Sequence, residues 1–170
     1  MTPDGSYVVM TVCLGNICRS PMAAAVLRHK VAAAGLASQV SVESTGTGGW
    51  HVGEPADARA GAVLAAYGYD PQHTAQQFAA DRGADLDLIL AMDSANWRSL
   101  TSMMGADPRL RMFRSFDPGL AGIPAPDPRL DVPDPYYGGT EGFTEVLRMI
   151  EQAADGVITY LAAHPAMAGR

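Results

Sequence analysis

The chain has 170 residues, 48% of them apolar and 18% charged, a globular balance at the length of one compact domain. Twelve basic against eighteen acidic residues leave a net charge of −6, so the broad phosphate-neutralising face of a nucleic-acid binder is not expected, and any anion must be gripped locally. The two cysteines, Cys13 and Cys18, would close too small a loop to staple a fold. A signal peptide and a membrane span are not expected, for want of a basic start and an apolar run of about 18 residues, so a cytoplasmic, reducing setting is.

Residues 7–12 form a short β-branched, apolar run that ends at a Gly- and Asn-containing turn, which predicts a buried strand. Pro21, suited to the first turn of a helix, precedes Met22, Val26, Leu27 and Val31 at helical spacing, and Gly35 supplies the stop. A second strand at 40–42 leads into a Gly-rich loop over 46–53, and 57–67 reads as a second helix closed by Gly68. A third strand spans 86–92. Asp93 or Ser94 caps a helix running to about Met104, and 110–113 is a fourth strand. Residues 117–139, crowded with Pro, Gly and Asp, are a long surface loop. The last helix carries one apolar stripe through Phe143, Val146, Leu147, Ile150, Ala154, Val157, Ile158 and Leu161. This alternation predicts an α/β fold: a three-layer domain with a four-stranded parallel twisted sheet and helices on both faces, binding ligands where strands end and helices begin.

The segment Cys13-Leu-Gly-Asn-Ile-Cys-Arg19-Ser20-Pro21 lies at the first such junction. A loop wrapped backward around an anion turns its backbone N–H groups inward, and the helix that follows adds its positive end. Leu14, Gly15, Asn16, Ile17, Cys18, Arg19 and Ser20 are thus the candidate phosphate-binding residues, Gly15 and Asn16 being able to adopt positive φ. The planar guanidinium of Arg19 can grip two phosphate oxygens at once, and such surroundings favour a Cys13 thiolate, a nucleophile for phosphorus. Ser20 is open to a second role as a helix cap, and Cys18 to one as space filler. Trp50, Tyr136 and Tyr137, large rings in polar loops, read as the walls of a slot for a flat phenyl group.

The octet Cys-Leu-Gly-Asn-Ile-Cys-Arg-Ser resembles the phosphate loop of the low-molecular-weight protein tyrosine phosphatases of bacterial type. Asp134-Pro-Tyr-Tyr-Gly138 resembles that family's general-acid segment, and Ser44-Thr-Gly-Thr-Gly-Gly-Trp-His-Val-Gly53 the loop that walls its cleft. The resemblance implies hydrolysis of phosphotyrosine in proteins through a phospho-cysteine, with phosphate or similar oxyanions bound in the site. It selects Asp134 over Asp127 and Asp131 as acid. It also implies that the Ser20 hydroxyl stabilises the Cys13 thiolate, that His73 braces Asn16, which holds the loop in shape, and that Cys18 pairs with Cys13 under oxidant. His51 at the rim would tune substrate preference. Thr11 departs from the larger apolar residue common in relatives.

No cofactor, metal, nucleic acid or membrane is expected to take part; His, Cys and acidic residues show no ligand-type clustering. Residues 1–170 are expected to form a single phosphatase domain with short disordered ends at about 1–5 and 164–170. Two rival readings are an arsenate reductase of the same fold, disfavoured because no cysteine follows Cys18, and a non-catalytic phosphoprotein-binding or redox-sensing module.

Overall fold

A computed structural model describes residues 5–168. Four parallel strands, β1 (Tyr7–Cys13), β2 (Val40–Gly46), β3 (Leu88–Ala91) and β4 (Leu110–Met112), lie in the order β2-β1-β3-β4. All seven residues of β1 are buried, as a central strand covered on both faces requires, which is why it reads as a continuous apolar run. Successive β1 side chains feed opposite cores: Val9 and Cys13 join Met22, Leu27, Phe143 and Ile150 on one face, Val8, Met10 and Val12 join Leu100, Leu110 and Met112 on the other.

Four helices cover the sheet: α1 (Arg19–Ala33), α2 (Ala58–Ala66), α3 (Ser94–Met104) and α4 (Thr140–Ala163). Asp57 and Asp93 cap α2 and α3 by accepting from Arg59 N and Asn96 N. Gly35 and Gly68 follow α1 and α2 with φ of 74° and 85°. Along α4 the expected stripe is buried apart from Ile158, which is partly so. Gly156 completes that packing, since a Cβ there would lie 1.8 Å from the Phe116 carbonyl oxygen. Among the described residues no helix is long and apolar enough to cross a membrane.

Three differences from the sequence reading have local causes. β2 continues to Gly46 through Ser44 and Thr45, which are buried although polar. The loop over 117–139 contains two 3-10 turns, Pro118–Leu120 and Pro128–Leu130, each opened by an aspartate that accepts from the backbone two residues on. The expected disordered ends fall partly outside the described residues, at 1–4 and 169–170; residues 164–168 include a 3-10 turn, Pro165–Met167. There the His164 ring meets those of Tyr7 and Tyr160 at a tilt, with centroids 4.9 and 5.7 Å apart, and accepts from Ala166 N to open that turn.

Candidate active site

β1 delivers Cys13 to the edge of a cleft of about 310 Å³ lined by Cys13, Leu14, Gly15, Ile17, Cys18, Arg19, Trp50, His51, Asp134, Tyr136 and Tyr137. The chain then wraps through residues 14–18 into α1. Asn16 supplies the reversal with φ of 58°, a left-handed conformation asparagine tolerates better than most residues. β2 can approach this closely only because Gly46 has no side chain: a Cβ would lie 2.7 Å from the Leu14 carbonyl oxygen and 2.9 Å from Asn16 N.

The hydrogen bonds of this loop are one-sided. The carbonyl of Cys13 accepts from Thr47 N, that of Leu14 from Gly48 N, that of Ile17 from Asp57 N and that of Cys18 from Met22 N, all between 2.8 and 3.1 Å. His73 Nε2 donates to the carbonyl of Asn16 at 2.6 Å. Among the described hydrogen bonds, no backbone N–H from Leu14 to Cys18 donates to a protein acceptor. The carbonyls are tied outward and the donors left over, which is the polarity of an anion site.

Asn16 and Ser20 stand behind the loop and off the cleft lining. The Asn16 amide donates to Ser20 Oγ at 2.8 Å and Ser44 Oγ at 2.6 Å, and its Oδ1 accepts from Gln76 N at 2.8 Å. Ser20 does not cap α1: its hydroxyl lies 2.9 Å from Cys13 Sγ and 3.2 Å from the Thr45 carbonyl. With one lone pair taken by Asn16, its single hydrogen is free to serve either acceptor. Thr11 is fully buried, and its hydroxyl donates to the Ser20 carbonyl at 2.9 Å, a tether that a larger apolar residue would lack.

Arg19, 3% exposed, is the buried cation of the cleft. Its Nη1 donates to Asp93 Oδ2 at 2.5 Å and to the Val132 carbonyl at 3.1 Å, and its Nη2 lies 3.5 Å from Asp134 Oδ2. Burial works against the charge, but Cys13, Asp93 and Asp134 outweigh it and raise the Arg19 pKa above its ordinary value. Burial, reinforced by Asp57, Cys13 and Asp134, pushes the Cys18 thiol up to about 12. Burial likewise lowers the pKa of His73, which favours the neutral ring that donates to Asn16.

Asp134 is partly exposed at the cleft mouth, its Oδ1 accepting from Tyr136 N at 3.1 Å. Trp50, Tyr136 and Tyr137 line the same cleft: Trp50 and Tyr137 are 71% and 91% exposed, and Tyr136 meets Tyr137 edge to face at 5.0 Å. His51 lines the rim beside them and bonds Glu54 Oε2 at 2.7 Å. Sequence reasoning missed Glu54, Ser44 and Gln76, and it saw Asp93 only as a cap. No residue pattern marked the partners of Asn16, because the burial of Ser44 at the end of β2 exists only in the fold.

Fold and site together define a Cys-x5-Arg phosphate-loop protein of the parallel α/β class. A family model described as low molecular weight phosphotyrosine protein phosphatase matches residues 8–166, and the chain belongs to that family. It is 48% identical to a low molecular weight protein-tyrosine-phosphatase of Streptomyces coelicolor over 156 residues, covering 90% of this chain and 92% of that one. Among solved structures, YfkJ from Bacillus subtilis superposes with a TM-score of 0.82 at 34% identity, covering 92% of this chain and 94% of that one. A protein tyrosine phosphatase from Entamoeba histolytica, with Hepes in its active site, gives 0.82 at 31% identity, covering 92% and 97%.

Proposed function

We propose that the chain hydrolyses phosphotyrosine in proteins in two steps, with Cys13 as nucleophile, Arg19 and the loop N–H groups as the oxyanion clamp, and Asp134 as general acid. The observation that carries this reading is the set of unspent N–H donors around Cys13, with the one buried cation of the cleft beside it. In the first step Cys13 Sγ attacks phosphorus, the bond to the phenolic oxygen breaks, and Asp134 gives that oxygen its proton. In the second, water attacks phosphorus, Asp134 takes a proton from it, and the phosphorus–sulfur bond breaks. The departing thiolate then accepts a hydrogen bond from the Ser20 hydroxyl, which turns to it from the Thr45 carbonyl. Phosphotyrosine is favoured over phosphoserine because the phosphate site lies at the floor of a cleft walled by Trp50, Tyr136 and Tyr137, where the longer side chain reaches and the shorter does not.

Cys18 sits beside Cys13 in the same lining, and both are buried and unbridged. In this reading it bonds to an oxidised Cys13 and guards it from further oxidation. A thiol pushed up to about 12 is protonated at neutral pH, so capture is slow there and speeds up as the medium becomes alkaline.

Hydrolysis of a phosphotyrosyl peptide by the native chain, Cys13→Ser and Asp134→Asn tests the assignment. Cys13→Ser loses turnover while still binding vanadate, and Asp134→Asn loses about 10² or more in kcat/KM. Native-like turnover by Cys13→Ser sinks the mechanism, and consumption of thiol by the native chain on addition of arsenate supports the reductase instead.

A further inference from the structure

Asp134 belongs to a loop with little of its own to hold it: Arg19 meets the Asp134 carboxylate, and the outside contacts of the backbone that follows lead to one side chain. Arg59, in the first turn of α2, donates from Nη1 to the Gly138 carbonyl and from Nη2 to the Tyr136 carbonyl, both at 3.0 Å. Among the described hydrogen bonds, these are the ones that fasten the backbone of residues 135–138 to another part of the molecule. The guanidinium also lies 4.6 Å over the ring of Phe143, in the first turn of α4 just beyond the loop.

Arg59 is itself held. Asp57 takes its Nε and Nη2 at 3.0 Å each, and the Asp57 N–H donates to the Ile17 carbonyl of the phosphate loop at 2.8 Å. A continuous run of bonds therefore leads from Ile17 through Asp57 and Arg59 to the two residues that flank Tyr137. The simpler reading, a local turn clamp, fits two other places where the same Asp-x-Arg pattern recurs. Asp107 and Asp127 chelate Arg109 and Arg129 with the same three contacts. Arg109 reaches on only to the carbonyls of Gly83 and Leu86, and Arg129 stands 67% exposed at the surface. Arg59 alone of the three carries its remaining donors to the general-acid loop.

We propose that Arg59 is the positioning residue that registers the general-acid loop against the phosphate loop. This rests on Asp134 acting as the acid. Arg59 touches no reacting atom; it sets where Asp134 stands when the leaving oxygen needs its proton. Lysine cannot replace it, having no planar fork to hold Asp57 while reaching two carbonyls.

The test compares kcat/KM for two substrates that differ in their need for an acid. Phenyl phosphate releases a phenolate of pKa about 10, which needs protonation; 2,4-dinitrophenyl phosphate releases a weak base that leaves without it. Arg59→Gln is expected to lose about tenfold or more on the first and no more than about twofold on the second, with inhibition by inorganic phosphate unchanged. In an Asp134→Asn background the same change is expected to cost no more than about twofold on either substrate, because the acid it positions is gone. Equal losses on both substrates, no loss on either, or a full loss persisting beside Asp134→Asn each overturn the proposal. Arg59→Lys keeps the cation beside Asp57 and decides by the same criterion if Arg59→Gln does not fold. If Asp134→Asn alone falls equally on both substrates, the acid assignment fails; if it falls selectively and Arg59→Gln does not, only the present inference does.

Discussion

The phosphate loop and the general-acid loop meet across one cleft and are built on opposite plans. Residues 13–20 are buried except for Leu14 and Gly15, and neighbouring segments accept or donate at nearly every outward group. Residues 133–139 are exposed apart from Pro135, and their backbone is held from outside by Arg59. The difference follows from what the proposed reaction asks of each. A phosphoryl group occupies the first loop through both chemical steps, so donors set in advance cost no reorganisation during reaction. The second loop must first face a leaving phenol and then a water, so it stays open to solvent.

Breaking the rigid half carries the largest expected effect. Arg19→Lys should reduce kcat by about 10³-fold or more, since an ammonium cannot hold Asp93 and the Val132 carbonyl while presenting a second edge to phosphate. Asp93→Asn, which keeps the cap of α3 but removes the charge behind Arg19, should cost much less, about tenfold. Steady-state kinetics on one aryl phosphate rank the two, and equal losses would mean that Asp93 does more than orient Arg19.

Asn16 tests whether the loop needs its backing as much as its donors. Asn16→Ala removes three hydrogen bonds, two of them buried, and keeps φ of 58° without the local help asparagine gives, a cost of about 2–4 kcal/mol. For a domain of this length that is a fall of roughly 5–15 °C in Tm, accompanied by a loss of kcat/KM. A Tm within a degree or two of the parent would show that the loop carbonyl contacts suffice alone.

The plan of each half explains what its sequence disclosed. Strand, loop and helix around Cys13 were legible because every level agrees there: a buried apolar run, a residue suited to positive φ, then Pro21 in a first helical turn. The long loop disclosed Asp134 through its neighbours Pro135 and Tyr136, but the residues that hold it are remote. Asp93 was visible as a cap through Oδ1, while its grip on Arg19 through Oδ2 depends on a fold that brings together residues 74 positions apart. Likewise, the three Asp-x-Arg patterns are alike in sequence, and it is the place of α2 beside residues 136–138 that separates Arg59 from the other two. Periodicity reports local geometry; it says nothing of which distant carbonyl a guanidinium reaches.

The smallest effect, and the sharpest probe of the backing, concerns His73. Half-buried, and facing the charge of Arg28, its ring has a lowered pKa in the folded protein, while the unfolded chain takes up its proton near 6.5. Between those two values the unfolded state binds more protons, so folding stability rises with pH there. The contribution of the neutral ring is complete above about pH 6.5 and is lost as the pH falls through the folded value. His73→Gln keeps an N–H for the Asn16 carbonyl but does not titrate. Urea midpoints at pH 7.5 and 5.0 should therefore fall further in the parent than in His73→Gln. Carboxylates titrate alike in both proteins and drop out of that difference. Identical falls would place the His73 ring in contact with water, and the hydrogen bond to Asn16 would then be too weak to brace the loop from behind.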